Sequence, residues 1–269
     1  MNDSLNIVTV IQARTGSSRL PNKILLPLAN KPLLYRMFER VAASKKRGTI
    51  VIATTTDKSD DILKNLCDEY DIKCYRGHPT DLLDRHYQAA KNFNADAVVK
   101  IPSDCPLIDP NVIDEVINFF IINYKKFDYV SNLHPPTYPD GNDVEIMSMN
   151  ALEDAWRNAK KNLEREHTTP YLWENPDKFR IGNVEWESGL DYSMSHRFTI
   201  DYEKDYNFIK QVYDELYSVN PIFTLNDILD LLDRKSEIKK INEEYCGVNW
   251  YRNHLDELKT ITPNQTKII

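Results

Sequence analysis

No run of the sequence approaches the ~20 apolar residues needed to span a bilayer, which argues against an embedded helix. Met1-Asn2-Asp3-Ser4 lacks the basic start and apolar stretch of a signal peptide, so a cytoplasmic chain is expected. Excess positive charge is missing too. With 34 Lys and Arg against 41 Asp and Glu the net charge is −7, which argues against a general nucleic-acid or anionic-membrane binder. Cysteine is scarce. Cys67, Cys74, Cys105 and Cys246 form no Cys-x-x-Cys pair, and no His stands at zinc-ligand spacing from them. They read as reduced thiols packed as small apolar residues, with Cys105 kept open because it adjoins a candidate acid. There is no internal repeat, low-complexity tract or clear linker. Two familiar phosphate loops are also absent. Gly-x4-Gly-Lys-Ser/Thr does not occur, and the dinucleotide fingerprint fails because only Gly16 is present in the relevant loop.

What is present is ordinary globular composition, 41% hydrophobic and 28% charged. In the first half, short β-branched runs alternate with helical periodicity. Ile7–Ile11, Thr49–Thr54, Ile72–Tyr75, Ala97–Ile101 and Phe127–Ser131 read as strands. Pro32–Val41, Ser59–Tyr70, Asp81–Asn92 and Pro110–Tyr124 read as helices. That alternation predicts βαβ units, a doubly wound, mostly parallel α/β sheet, and a ligand at the carboxyl ends of its strands. The second half is less regular. Strands are expected at Val144–Met147, Phe179–Glu185 and Arg197–Ile200, and helices at Asn150–Lys160 (capped by Asn150), Tyr206–Tyr217 and Leu225–Asp233. The polar tail, Lys259 to Ile269, is expected to fray.

The most informative stretch is Gln12-Ala-Arg-Thr-Gly-Ser-Ser-Arg-Leu-Pro-Asn-Lys23, directly after the first strand. No Asp or Glu occurs from Ser4 to Phe38, while Arg14, Arg19, Lys23, Lys31 and Arg36 give the window a charge of +5. Backbone N–H groups of a small-residue turn can converge on an anion, and Arg and Lys neutralise polyphosphate. A solvated basic loop is the plain alternative; its place at a strand's carboxyl end favours a phosphate site.

Ala13-Arg-x-Gly-Ser-x-Arg-Leu-Pro-x-Lys23 resembles the signature of the CMP-sugar synthetases and acylneuraminate cytidylyltransferases, most closely the spore-coat polysaccharide cytidylyltransferase-like group. Lys31-Pro32-Leu33 follows in that family's order, with Asn30 replacing its usual Gly. So do Ala53–Thr56, Asp81-Leu-Leu-Asp84-Arg85, Asp104–Asp109, Pro139–Gly141, Asp143-Val-Glu145, Arg165-Glu-His167 and Asp201. The resemblance covers about residues 6 to 245. It implies a nucleotide-diphospho-sugar-transferase type of Rossmann-like fold in one domain, residues 1–258. Residues 1–133 would form the nucleotide-binding half and 134–258 the acceptor and dimerisation half.

The activity so implied is transfer of CMP from CTP to a small acidic acceptor: a sugar acid, sugar phosphate or phosphonate. Pyrophosphate leaves, Mg²⁺ assists, and the enzyme is a homodimer in surface polysaccharide or glycoconjugate precursor synthesis. Gln12, Ala13, Arg14, Gly16, Ser17, Arg19, Lys23, Asp84, Arg85 and Ser103 would bind nucleotide, with Arg14 and Lys23 steadying the phosphates and Asp84 free to pair with Arg85. Metal roles fall to Asp104 and Asp201. Each has a plainer reading, Asp104 as a turn residue and Asp201 as a helix cap. Asp140, Gly141, Asp143, Glu145, Arg165, Glu166 and His167 would line the acceptor pocket, an Arg fork suiting an acidic group. His78, His86 and His134 have no motif context. Two rivals remain: a nucleotide-sugar-dependent glycosyltransferase, whose usual Asp-x-Asp is replaced here by Asp104-Cys-Pro, and a non-catalytic nucleotide-binding module. GTP or UTP as the nucleotide also stays open.

Overall fold

The computed structural model of the chain describes residues 5–268. Its strands in chain order are β1 (Ile7–Gln12), a small hairpin of β2 (Pro27–Leu28) and β3 (Lys31–Pro32), β4 (Thr49–Thr55), β5 (Cys74–Gly77), β6 (Ala97–Pro102), β7 (Tyr129–Ser131), β8 (Glu145–Ser148) and β9 (Ile181–Asn183). Its helices are α1 (Leu33–Ala43), α2 (Asp61–Glu69), α3 (Leu82–Asn92), α4 (Pro110–Ile122), α5 (Met149–Asn158), α6 (Asn162–His167), α7 (Pro170–Trp173), α8 (Glu203–Leu216), α9 (Leu225–Arg234) and α10 (Ser236–Lys239).

Seven strands form one sheet in the order β5-β4-β1-β6-β8-β7-β9. β1 lies between β4 and β6, parallel to both. Its run Ile7–Ile11 is buried throughout because helices cover both faces. Only β8 runs against its neighbours. One face packs Ile11, Ile52 and Val99 against α1, α2, α4, α8 and α9. The other packs Val8, Val10 and Val98 against α3, α5, α6 and α7.

The chain winds outward from β1 through β4 to β5 and then returns to β6 on the other side of β1, so the carboxyl ends of β1 and β6 open a crevice at the switch in strand order. In the β2–β3 hairpin, Ala29 and Asn30 both adopt positive φ (41° and 65°). Asn tolerates that left-handed backbone, which explains how Asn30 serves in the place of a glycine. Asp81 caps α3 by accepting the Asp84 N–H at 2.9 Å.

Several expectations are corrected. Ser148, not Asn150, caps α5 by accepting the Ala151 N–H at 3.2 Å. Among the described residues Arg197–Ile200 joins no strand ladder; Arg197 makes an isolated parallel bridge to Asp140. The segment's amides are used to staple loops: Phe198 N–H donates to the Asp140 carbonyl at 2.7 Å and Ile200 N–H to the Asp104 carbonyl at 2.9 Å. The helix α6, which carries Arg165-Glu166-His167, is absent from the helices expected in the second half. Within residues 259–268 the tail does not fray. Glu174 accepts the N–H groups of Lys259 (2.6 Å) and Thr260 (2.8 Å), and Leu258 and Ile261 are buried in the second face's core.

Candidate active site

The loop after β1 is tied down from beneath. Thr15 donates its N–H and its hydroxyl to Asp60 Oδ1, each at 2.7 Å. Burial would raise Asp60, but hydrogen bonds from Thr55 and Thr15 outweigh it and hold the carboxyl low. Ser17 and Asn22 N–H groups both donate to the Thr15 carbonyl, at 2.9 and 3.1 Å. Asn22 takes φ 57° to close the turn. A Cβ at Gly16 would meet nothing within 4 Å. The protein itself therefore makes no demand for glycine there; Gly16 leaves free space in the crevice.

That crevice is a cleft of about 820 Å³, and Gln12, Ala13, Arg14, Gly16, Ser17, Arg19, Lys23, Arg85 and Ser103 all line it. Arg85 is 3% exposed, and its Nε and Nη1 have no hydrogen-bond partner among the described residues. Burial, helped by the nearby Arg14 charge, pushes it down to about 10. A buried guanidinium with idle donors costs stability unless something supplies acceptors. Lys31 and Arg36, counted with the loop by sequence, are engaged elsewhere. Lys31 donates to Tyr70 Oη at 3.1 Å and Arg36 to Glu39 at 3.0 Å.

At the mouth of the cleft, Asp104 and Asp201 converge. Lys23 Nζ lies 2.8 Å from Asp104 Oδ2, 3.3 Å from Asp201 Oδ1 and 2.5 Å from the Ile200 carbonyl. The staple from Ile200 to Asp104 makes the meeting possible across 97 residues of chain. Arg19 Nη2 reaches Asp201 Oδ1 at 2.5 Å, and Arg197 Nη2 reaches Oδ2 at 3.0 Å. Burial alone would raise Asp201, but Lys23, Arg19 and Arg197 outweigh it and hold the carboxyl at about 2. Asp201 is not a helix cap. Asp205 instead accepts the N–H groups of Asp201 and Tyr202, at 2.9 and 3.0 Å. Two carboxylates that already share an ammonium have the hard oxygen chemistry Mg²⁺ prefers. Among the described residues no group of three His, Cys, Asp or Glu side chains could hold a metal by itself, so a cation here would need oxygens from a ligand.

A second cavity, about 290 Å³, adjoins the first and shares Gln12, Arg19, Asp104, His167 and Asp201 with it. Asp140, Asp143 and Glu145 line it. Burial pushes Asp143 up to about 6, against the Gly141 N–H that favours its charge. Glu145 is 3% exposed. It is saturated by an ion pair with Lys100 and by the Tyr129 hydroxyl at 2.6 Å. Cys105 is buried at this wall, and burial pushes its thiol up, leaving it neutral.

Four of the residues expected at these sites sit elsewhere. Asp84 does not pair with Arg85 or line the cleft. It accepts from Trp156 Nε1 at 2.8 Å and Gln88 at 3.2 Å, joining α3 to α5. Gly141 does not line the acceptor cavity. Its φ of +105° puts a hypothetical Cβ 2.7 Å from the Phe198 carbonyl carbon, so it shapes the staple. Arg165 and Glu166 line the nucleotide-side cleft. Arg165 is committed to Asp81 Oδ2, by two N–H groups at 2.8 and 2.5 Å, and is unavailable to an acceptor. His167 lines both cavities and stacks on Trp250 at 3.8 Å. Burial pushes it down to about 3, so it is neutral.

Sequence reasoning missed the C-terminal wall of the second cavity, Gly247–Asn253 and Gln265. Its signal was the aromatic pair Trp250-Tyr251 in an otherwise polar stretch.

A doubly wound sheet with a cation-lined cleft at its switch point and two acids at the mouth is the form of a nucleotidyltransferase. Residues 8–238 match the cytidylyltransferase family, and the chain belongs to that family. It is 37% identical over 238 residues to an uncharacterized protein of Methanocaldococcus jannaschii, covering 88% of this chain and 95% of that protein. The spore coat polysaccharide biosynthesis protein SpsF of Bacillus subtilis is 31% identical over 242 residues, 88% of this chain and 97% of that one. A 3-deoxy-manno-octulosonate cytidylyltransferase of Geobacter sulfurreducens is 33% identical over 113 residues, 42% of this chain and 44% of the other. A cytidylyltransferase structure from Leptospira borgpetersenii superposes with a TM-score of 0.83 at 32% identity, covering 88% of this chain and 98% of that one.

Proposed function

We propose that this cytidylyltransferase binds CTP in the larger cleft and transfers CMP, with Mg²⁺, to an acidic sugar in the smaller cavity. One observation carries the reading: the Ile200–Asp104 staple brings the Asp104 and Asp201 carboxylates to a single cation position between the two cavities. Asp104 and Asp201 would hold the metal, which screens phosphate charge and supports the leaving pyrophosphate. The triphosphate lies over the loop, where Arg14 and Lys23 steady it and Arg19 assists. Arg85 supplies its idle donors to the nucleotide. The acceptor hydroxyl oxygen attacks the α-phosphorus, the bond from that phosphorus to the oxygen bridging to the β-phosphorus breaks, pyrophosphate leaves, and the hydroxyl proton passes to solvent. A carboxylate on the acceptor agrees with the octulosonate named for the Geobacter relative. The homodimer rests on the family resemblance, and light scattering tests it.

Incubation with CTP, UTP or GTP and a panel of 2-keto acid sugars, sugar phosphates and phosphonates, read by pyrophosphate release, tests the whole proposal. The expected result is release with CTP and an acid sugar, abolished by EDTA and restored by Mg²⁺. Release that survives EDTA, or appears only with UTP or GTP, overturns it.

A further inference from the structure

Four cations line the acceptor cavity: Arg19, Lys100, Arg197 and Arg252. Three are spoken for. Arg19 pairs with Asp201 and Lys100 with Glu145, while Arg197 pairs with Asp140, Asp201 and Asp205. Arg252 has no carboxylate partner among the described residues. Among the described residues its side chain makes one hydrogen bond, from Nη2 to the Tyr202 hydroxyl at 3.2 Å. Arg165, the cation the sequence offered for an acidic acceptor, is held by Asp81 in the other cavity.

We propose that Arg252 receives the carboxylate of the acceptor, and that the C-terminal segment carrying it sets acceptor choice. The inference rests on the nucleotidyl-transfer reading above. An acceptor with a negative group enters a cavity whose lining includes Asp104, Asp140, Asp143, Glu145 and Asp201. It needs an uncommitted cation, and a guanidinium offers a planar two-donor fork matched to carboxylate.

The segment holds that fork in a fixed place. Arg197 Nη1 donates to the Val248 carbonyl at 2.6 Å, tying the segment to the same arginine that grips Asp201. Lys267 N–H donates to the Gly247 carbonyl at 2.7 Å, and Asn249 Nδ2 to the Gln265 carbonyl at 2.9 Å. Gly247 has φ +76°, and a Cβ there would fall 2.6 Å from Met194 Cε, so the chain turns tightly against the cavity wall. Two residues before Arg252, Trp250 stacks on His167, one of the side chains that border both cavities. The whole segment lies beyond residue 238, where the match to the family ends. Nucleotide-side parts lie inside that match, and this wall of the acceptor cavity lies outside it. Such a division allows one transfer chemistry to serve different acceptors.

The test compares kcat/KM for 3-deoxy-manno-octulosonate and N-acetylneuraminate with their methyl esters, which keep the sugar and lose the charge. Pyrophosphate release is followed in the wild type, Arg252→Gln and Arg252→Lys, with exposed Arg157→Gln as control. A charge-assisted fork is expected to favour acid over ester by roughly 10- to 100-fold in the wild type. Arg252→Gln should bring that ratio near one by lowering the acid rate alone, Arg252→Lys should restore part of it, and KM for CTP should not move. Equal losses on acid and ester, or no loss on either, would overturn the role of Arg252 while leaving nucleotidyl transfer standing. Turnover confined to neutral or phosphorylated acceptors also overturns it. A wild type that releases no pyrophosphate with any acceptor overturns both readings together.

Discussion

Replacing Asp201 by Asn removes one charge and almost no volume, so it isolates the electrostatics at the mouth of the cleft. The carboxyl stands at about 2, with burial opposing and Lys23, Arg19 and Arg197 prevailing. An ordinary Asp titrates near 3.9, and each pH unit of difference is worth about 1.4 kcal/mol, so the ionised carboxylate contributes on the order of 2–3 kcal/mol at neutral pH. The side chain is 21% exposed, so solvent screening takes only a small part of this. A depressed folded-state pKa gives stability that is fully present above the unfolded value and is lost as pH falls toward the folded one. The Asn variant should therefore melt lower at pH 7 by roughly 5–10 °C, taking about 2–4 °C per kcal/mol for a chain of this size. The gap to wild type should narrow as the pH drops below about 4. Differential scanning fluorimetry at a series of pH values reads both, and a pyrophosphate assay on the same samples should show activity lost. Melting within about 1 °C of wild type at pH 7, or a gap unchanged at low pH, would refute the claim that three cations converge on this charge.

Two substitutions should separate ligand binding from stability. Gly16→Ala meets open space, so its Tm should stay level or rise slightly, because alanine restricts the unfolded chain. Its KM for CTP should rise about tenfold, the cost of a crowded charge-assisted contact; unchanged CTP kinetics would place the triphosphate elsewhere. Arg85→Met removes a buried guanidinium whose Nε and Nη1 lack partners among the described residues, so the protein should be no less stable, while CTP binding by calorimetry weakens about 10- to 100-fold. A destabilised protein with intact CTP affinity would make Arg85 a structural residue.

The sequence by itself determined the local order. Strand and helix periods, the Asp81 cap and the acid-free cationic loop are properties of neighbouring residues, and each reads directly from composition and spacing. Ordered motifs along the chain were enough to point to the cytidylyltransferase family. Tertiary structure alone decided which charges meet. Asp104 finds Asp201 because the amide of Ile200 bonds across the crevice. Arg165 is lost to the acceptor side because Asp81, 84 residues away, takes its fork. The polar tail read as solvated, yet Leu258 and Ile261 find an apolar face and Glu174 takes its amides. Burial and ion pairing depend on distances set by packing, and a linear order of residues does not contain those distances. That is why the loop after β1 was legible from the start, and the wall that faces the acceptor was not.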